Sequence, residues 1–211
     1  MNYITYKKAG ISLIVFTVLL VFTMVHHPSG GSMQHLSDIA TMIVITHSVA
    51  ILSLPFGWIG FWGLTLKLGT DKFGSVLAFA MISLGLIAVL LAGATNGLAF
   101  PIFMQHYKDA SPETMTGIDP VLRYSLAFNH AFDYVYTVAI GLAVLCWSIV
   151  ILLTRKLPVW IGWLGIAMAV FTAVPLIGGV AVNSVHGLRL FGAGLVVWLL
   201  VTGGALVWGR P

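Results

Sequence analysis

Residues 73–103 read FGSVLAFAMISLGLIAVLLAGATNGLAFPIF, a continuous run without one charged side chain. About 20 such residues, wound as a helix, cross the hydrocarbon core of a bilayer, and lipid leaves every backbone N–H and C=O to be satisfied within the segment. This stretch therefore predicts a membrane-spanning helix with residues to spare. Further apolar runs lie over 9–25, 39–66, 122–153, 158–182 and 188–208, separated by polar or Pro/Gly-bearing turns.

Composition agrees. The 211 residues are 59% hydrophobic and 8% charged with a mean hydropathy of +1.03, whereas soluble domains run near a quarter charged. The expected fold is all-α: a single-domain polytopic integral membrane protein, a bundle of six transmembrane helices whose helices two to four extend beyond the bilayer at their outer ends. A large soluble domain is excluded. The pI of 9.4 does not point to nucleic acid, because the ten Lys and Arg form no basic stripe. Cys146 is the single cysteine, so an intrachain disulfide and Cys-based zinc or iron–sulfur sites are excluded. Lys7 and Lys8 precede the first apolar run, but no A-x-A site follows. We read it as a retained helix, with cleavage after Ser29-Gly30-Gly31 as the competing reading.

Alternating the loops places Lys7, Lys8, Lys67, Lys72, Arg155, Lys156 and Arg210 with Asp71 on one side. Lys108, Arg123 and Arg189 fall on the other with Asp38, Asp109, Glu113, Asp119 and Asp133, a split of +6 against −2 that accounts for the net +4. By the positive-inside rule the first side is cytoplasmic, which puts both termini there and predicts a multi-pass protein of a bacterial-type plasma membrane. Trp58, Trp62, Trp160 and Trp163 fall near the same boundary, where indoles favour the headgroup level. Residues 108–120, with three carboxylates, are expected as an acidic outer lid. Gly57, Gly60 and Gly63, and Gly93 with Gly97, are read as helix-packing positions, and Pro55, Pro101 and Pro175 as kinks or breaks.

All seven histidines then fall in the outer half or the outer loops. Counting about 20 residues outward from each inner basic end brings a His or Asn of every helix near the outer hydrocarbon boundary. On the fourth helix, Leu126, His130, Asp133 and Thr137 follow helical spacing, so His130 and Asp133 are expected on one inward face. An ionisable group at membrane depth is costly unless paired or ligated, which makes it a functional candidate.

The leading expectation is a redox centre, b-type haem or copper, serving electron transfer or metal handling. His47 and His130 would be the axial or metal ligands and Arg123 and Arg189 the partners of haem propionates, with Asp133 orienting a ring or relaying a proton. His186, His26 and His106 complete the metal candidates. Met24-x-His26, Met33-x-His35 and Met104-x-His106 add a thioether–imidazole pattern suited to Cu(I). A quinone or a periplasmic redox or metal partner would fit such a site. The alternative is a non-enzymatic transporter or membrane assembly partner using the same pocket. A zinc-dependent intramembrane hydrolase using His47, His130 and His186 with Asp133 ranks lower, because no H-E-x-x-H is present. Against all of these stands the plain reading, in which interfacial His, Asn and Tyr satisfy one another. It is preferred for Asn96, Asn129 and Asn183 as helix–helix hydrogen-bonding glue and for Tyr124, Tyr134 and Tyr136 as belt residues.

Overall fold

The structure is a computed structural model that describes residues 3–27, 33–177 and 185–209. Those residues are all-helical apart from short turns: α1 Tyr3–His26, α2 Met33–Asp38, α3 Ala40–Leu68, α4 Phe73–Ala92, a π-helical segment Gly93–Ala99, α5 Phe100–His106, α6 Pro112–Thr154, α7 Val159–Ile177 and α8 Val185–Trp208. Four continuous helical stretches are long and apolar enough to cross a membrane: Thr5–His26, Ala40–Leu68, Phe73–His106 and Glu113–Thr154. Val159–Ala173 and Gly192–Trp208 are shorter apolar helices. Large apolar side chains such as Val18, Leu52, Ile59, Val170 and Val197 point outward and are at least half exposed. A soluble monomer rarely tolerates so much contiguous apolar surface, and a lipid-facing bundle requires it.

The helices pack in a closed ring in which α1 touches α3, α3 touches α4, α4 touches α6, α6 touches α7, α7 touches α8, and α8 returns to α1. A column of aromatic rings fills its middle. Trp147 of α6 is fully buried, stacked on Phe61 of α3 at 5.3 Å and on Trp198 of α8 at 6.3 Å, while Phe16 of α1 meets Phe61 edge-on at 5.9 Å. Each such pair contributes about 0.5–1.5 kcal/mol beyond the area it buries. The two indole N–H groups are satisfied, Trp147 donating to Thr65 Oγ1 and Trp198 to the Ile161 carbonyl, each at 3.3 Å. The glycine row behaves as packing: a β-carbon at Gly63 would collide with the Ala9 Cβ, so α1 and α3 approach backbone to backbone there.

One expectation about the outer segments changes and another takes a definite form. The lid expected as a loop over 108–120 is helical from Pro112, because Ser111 caps α6 by accepting from the Thr114 N–H and proline suits the first helical position. Glu113 and Asp119 therefore ride on the first turns of a 43-residue helix. The kink or break expected at Pro101 takes the form of a widened turn. Proline lacks the N–H that would bond the carbonyl four residues back. The chain relaxes into π geometry over Gly93–Ala99, with the Phe100 N–H reaching back five residues to the Thr95 carbonyl, and α5 continues to His106.

Candidate functional site

Lys67, Arg155 and Lys156 lie at one end of the bundle, and His27 and His47 at the other. Lys156 reaches the Leu68 carbonyl and Lys67 the Tyr6 ring at one end, while His27 and His47 meet at the other. At the histidine end a cavity of about 130 Å³ opens between α1, α3, α4 and α6, lined by Met24, His27, His47, Asn129, Asp133 and Tyr136 above an apolar floor.

His47 is positioned by its own helix. Its Nδ1 lies 2.8 Å from the Ile43 carbonyl one turn back. A carbonyl can only accept, so Nδ1 carries the proton and Nε2 keeps its lone pair. Gly97, on the π segment, makes the room. A β-carbon there would overlap the Cβ and Cγ of His47, so only glycine lets the widened turn pass the imidazole. The His27 ring, just past the end of α1, lies 5.2 Å from the His47 ring at an interplanar angle of 59°.

Asp133 is held from the other side by a directed chain of hydrogen bonds. Ser125 Oγ donates to Asn96 Oδ1 at 3.1 Å, Asn96 Nδ2 donates to Asn129 Oδ1 at 2.8 Å, and Asn129 Nδ2 donates to Asp133 Oδ2 at 3.2 Å. Every donor points toward the carboxylate, so the chain holds Asp133 in place against the cavity. The two asparagines also join α6 to the π segment, the gluing role their residue type suggested.

His47 and Asp133 thus line one cavity. The other expected site residues are placed elsewhere. His130 is exposed and outside the cavity, because the cavity face of α6 is Asn129, Phe132, Asp133 and Tyr136, an i, i+3, i+4, i+7 row, and His130 sits about 100° around the helix from Asn129. His26 is exposed, with its Nδ1 on the Phe22 carbonyl at 2.9 Å. Met24 and His26 are two apart and point to opposite sides of α1, whereas Met24 and His27 are three apart and share a face. His106 is exposed at the end of α5, edge-on to Tyr107. Met104, two residues earlier, is buried. Arg123 is exposed and its Nε donates to Asp119 Oδ2 at 2.6 Å. The side chains of His186 and Arg189, like Asn183 and Pro175, lie outside the described residues.

Among the described residues no three His, Cys, Asp or Glu side chains converge as a metal-binding group. The cavity residues that the sequence did not mark as site residues are His27 and Tyr136, while Gly97 was read, with Gly93, as a position of close helix approach. Helical spacing from Met24 and from Asp133 would have found both, and the close approach expected at Gly97 is to the ring of His47.

No family model, curated protein or solved structure matches this chain.

Proposed function

We propose that this protein is a six-span plasma-membrane protein that binds copper in the Met24/His27/His47 cavity, for metal handling or electron transfer at the extracytoplasmic side. In this reading α7 and α8 complete the six crossings, both termini are cytoplasmic, and the far ends of the middle helices stand above the bilayer around the site. The observation that carries it is the approach of His27 and His47, from different helices, to 5.2 Å over a cavity that Met24 also lines. Two imidazoles and a thioether are a ligand set suited to Cu(I). The Nδ1 bond of His47 fixes its ring with Nε2 available, the outer-shell support that metal-binding histidines use. Asp133 adds a carboxyl group to the wall of the same cavity.

Copper is preferred to haem on volume and on ligands. The cavity measures about 130 Å³, while pockets for larger organic ligands run to roughly 300–1,000 Å³. The second axial histidine of the haem reading, His130, is exposed and does not line the cavity. The zinc-hydrolase reading loses the same residue.

Titration of the purified full-length protein with Cu(I) against a chromophoric chelator is expected to show stoichiometric binding. His47→Ala and His27→Ala should weaken it by roughly 100-fold or more, since changes even to the outer shell of metal sites cost about 10–100-fold. His130→Ala should leave it unchanged. Absence of Cu(I) binding by the unaltered protein would overturn the copper reading and leave the transport or assembly role in front. A Soret band after expression with haem would move the assignment to a porphyrin.

A further inference from the structure

The basic end of the ring holds a second cavity, of about 370 Å³, which the proposed copper chemistry does not use. Lys67 at the end of α3 and Arg155 and Lys156 in the α6–α7 turn line it, over an apolar floor that includes Leu157, Pro158 and Ala205. Among the described residues, three cations and no carboxylate line this space. Asp71 stands close by, paired at 2.8 Å with Lys72, whose ammonium, with a smaller contribution from Lys156, holds the carboxyl below the ordinary carboxylate range. The Lys67 ammonium sits 5.1 Å above the Tyr6 ring, and Lys156 Nζ donates to the Leu68 carbonyl at 3.0 Å, so two of the charges are held in place.

Arg155 supplies an independent sign. It closes α6 with its N–H on the Ile151 carbonyl and has φ +53°, the sole positive φ of a non-glycine residue among those described. Glycine is the residue that ordinarily fills this C-terminal position, and an arginine kept there in left-handed conformation is strain of the kind found at functional sites. Val159, the first residue of the 19-residue helix α7, and Pro158 just before it border the same cavity, and the dipole of a helix N-terminus favours an anion. Trp160 and Trp163, on that first turn and the next, and Trp208, beside Gly209 of the cavity wall, are all more than half exposed. Exposed indoles at the end of apolar helices mark the headgroup level.

We propose that this cavity binds the phosphate of an anionic membrane lipid. The acyl chains continue from it along the apolar outer surfaces of α7 and α8. A basic pocket between helices at the membrane surface, walled by apolar side chains, selects a phosphate that carries hydrocarbon over one that does not.

Native mass spectrometry of the full-length protein in detergent tests this, with phosphatidylglycerol and phosphatidylcholine supplied in equal amounts. Phosphatidylglycerol is expected to be retained several-fold over phosphatidylcholine. Arg155→Gly, which removes the charge and relieves the left-handed strain, should fold at least as well and lose most of that preference; Lys67→Gln combined with it should abolish the rest. Millimolar inorganic phosphate should leave the lipid adduct in place. Equal retention of the two lipids by the unaltered protein, or an undiminished preference in the double variant, would overturn the proposal. Displacement by inorganic phosphate would overturn it too, by assigning the cavity to the free anion.

Discussion

At position 97 a single hydrogen atom decides whether His47 can occupy the cavity. Any β-carbon there overlaps the imidazole, and His47 cannot retreat without breaking the Nδ1 bond to Ile43. Gly97→Ala is therefore expected to lower stability by about 1–3 kcal/mol, the usual cost of overpacking, and to reduce Cu(I) affinity at the same time. Gly117→Ala is the control. Nothing lies within 4 Å of a β-carbon there, so the substitution should be neutral or stabilise α6 by up to about 1 kcal/mol. Thermal unfolding in detergent with a parallel Cu(I) titration reads both, and a Gly97→Ala protein that melts and binds like its parent would show that His47 is not held where the structure places it. At this scale His47 and Asp133 were legible in the sequence, since a His and an acid at membrane depth demand partners. The partners were not. Met-x-His looks like a unit on paper, but at about 100° per residue it points its two side chains apart, and the cavity takes Met24 with His27.

The segment from Phe73 to His106 shows how one missing N–H shapes an element. Pro101 widens the turn before it, and the widening brings Asn96 to Asn129 and Gly97 to His47. Pro101→Ala restores the donor and lets the helix run in regular register, which would rotate Asn96 away from Asn129 and return a bulkier face to His47. The expected outcome is a melting temperature unchanged or raised, because a helix-breaking residue is gone, with Cu(I) affinity reduced at least about tenfold, as losses in an outer shell produce. Unchanged affinity would mean that the π turn does not position the site. The apolar run and its break at Pro101 were legible in the sequence, but a stop and a widened turn answer to the same missing N–H, so which of the two forms depends on packing against α3 and α6. The same ambiguity hid the start of α6. Residues 108–120 carry charges and two prolines and read as loop, yet Ser111 and Pro112 together are a helix start.

Across the whole molecule, apolar runs and charge asymmetry are local properties, and these the sequence displays. Ring order is not local. That α1 lies between α3 and α8, and that Trp147 joins Phe61 to Trp198, depends on contacts between residues far apart in the chain. What links the two levels is the separation of chemistry along the bundle axis. Lys67, Arg155 and Lys156 crowd one end and His27, His47 and Asp133 the other, so the orientation of the protein decides which compartment meets the copper ligands. The proposed orientation follows from seven basic residues on one side against three on the other. A fluorescent-protein fusion at the C-terminus is therefore expected to mature and fluoresce, since both termini would be cytoplasmic, and an alkaline phosphatase fusion after Asp109 should be active, since the turn between α5 and α6 would be extracytoplasmic. The reverse pattern would turn the histidine cavity toward the cytoplasm and remove the case for extracytoplasmic copper. It would also place Arg155 and its neighbours at the extracytoplasmic leaflet, so the same pair of fusions decides from which leaflet the basic cavity would draw its lipid.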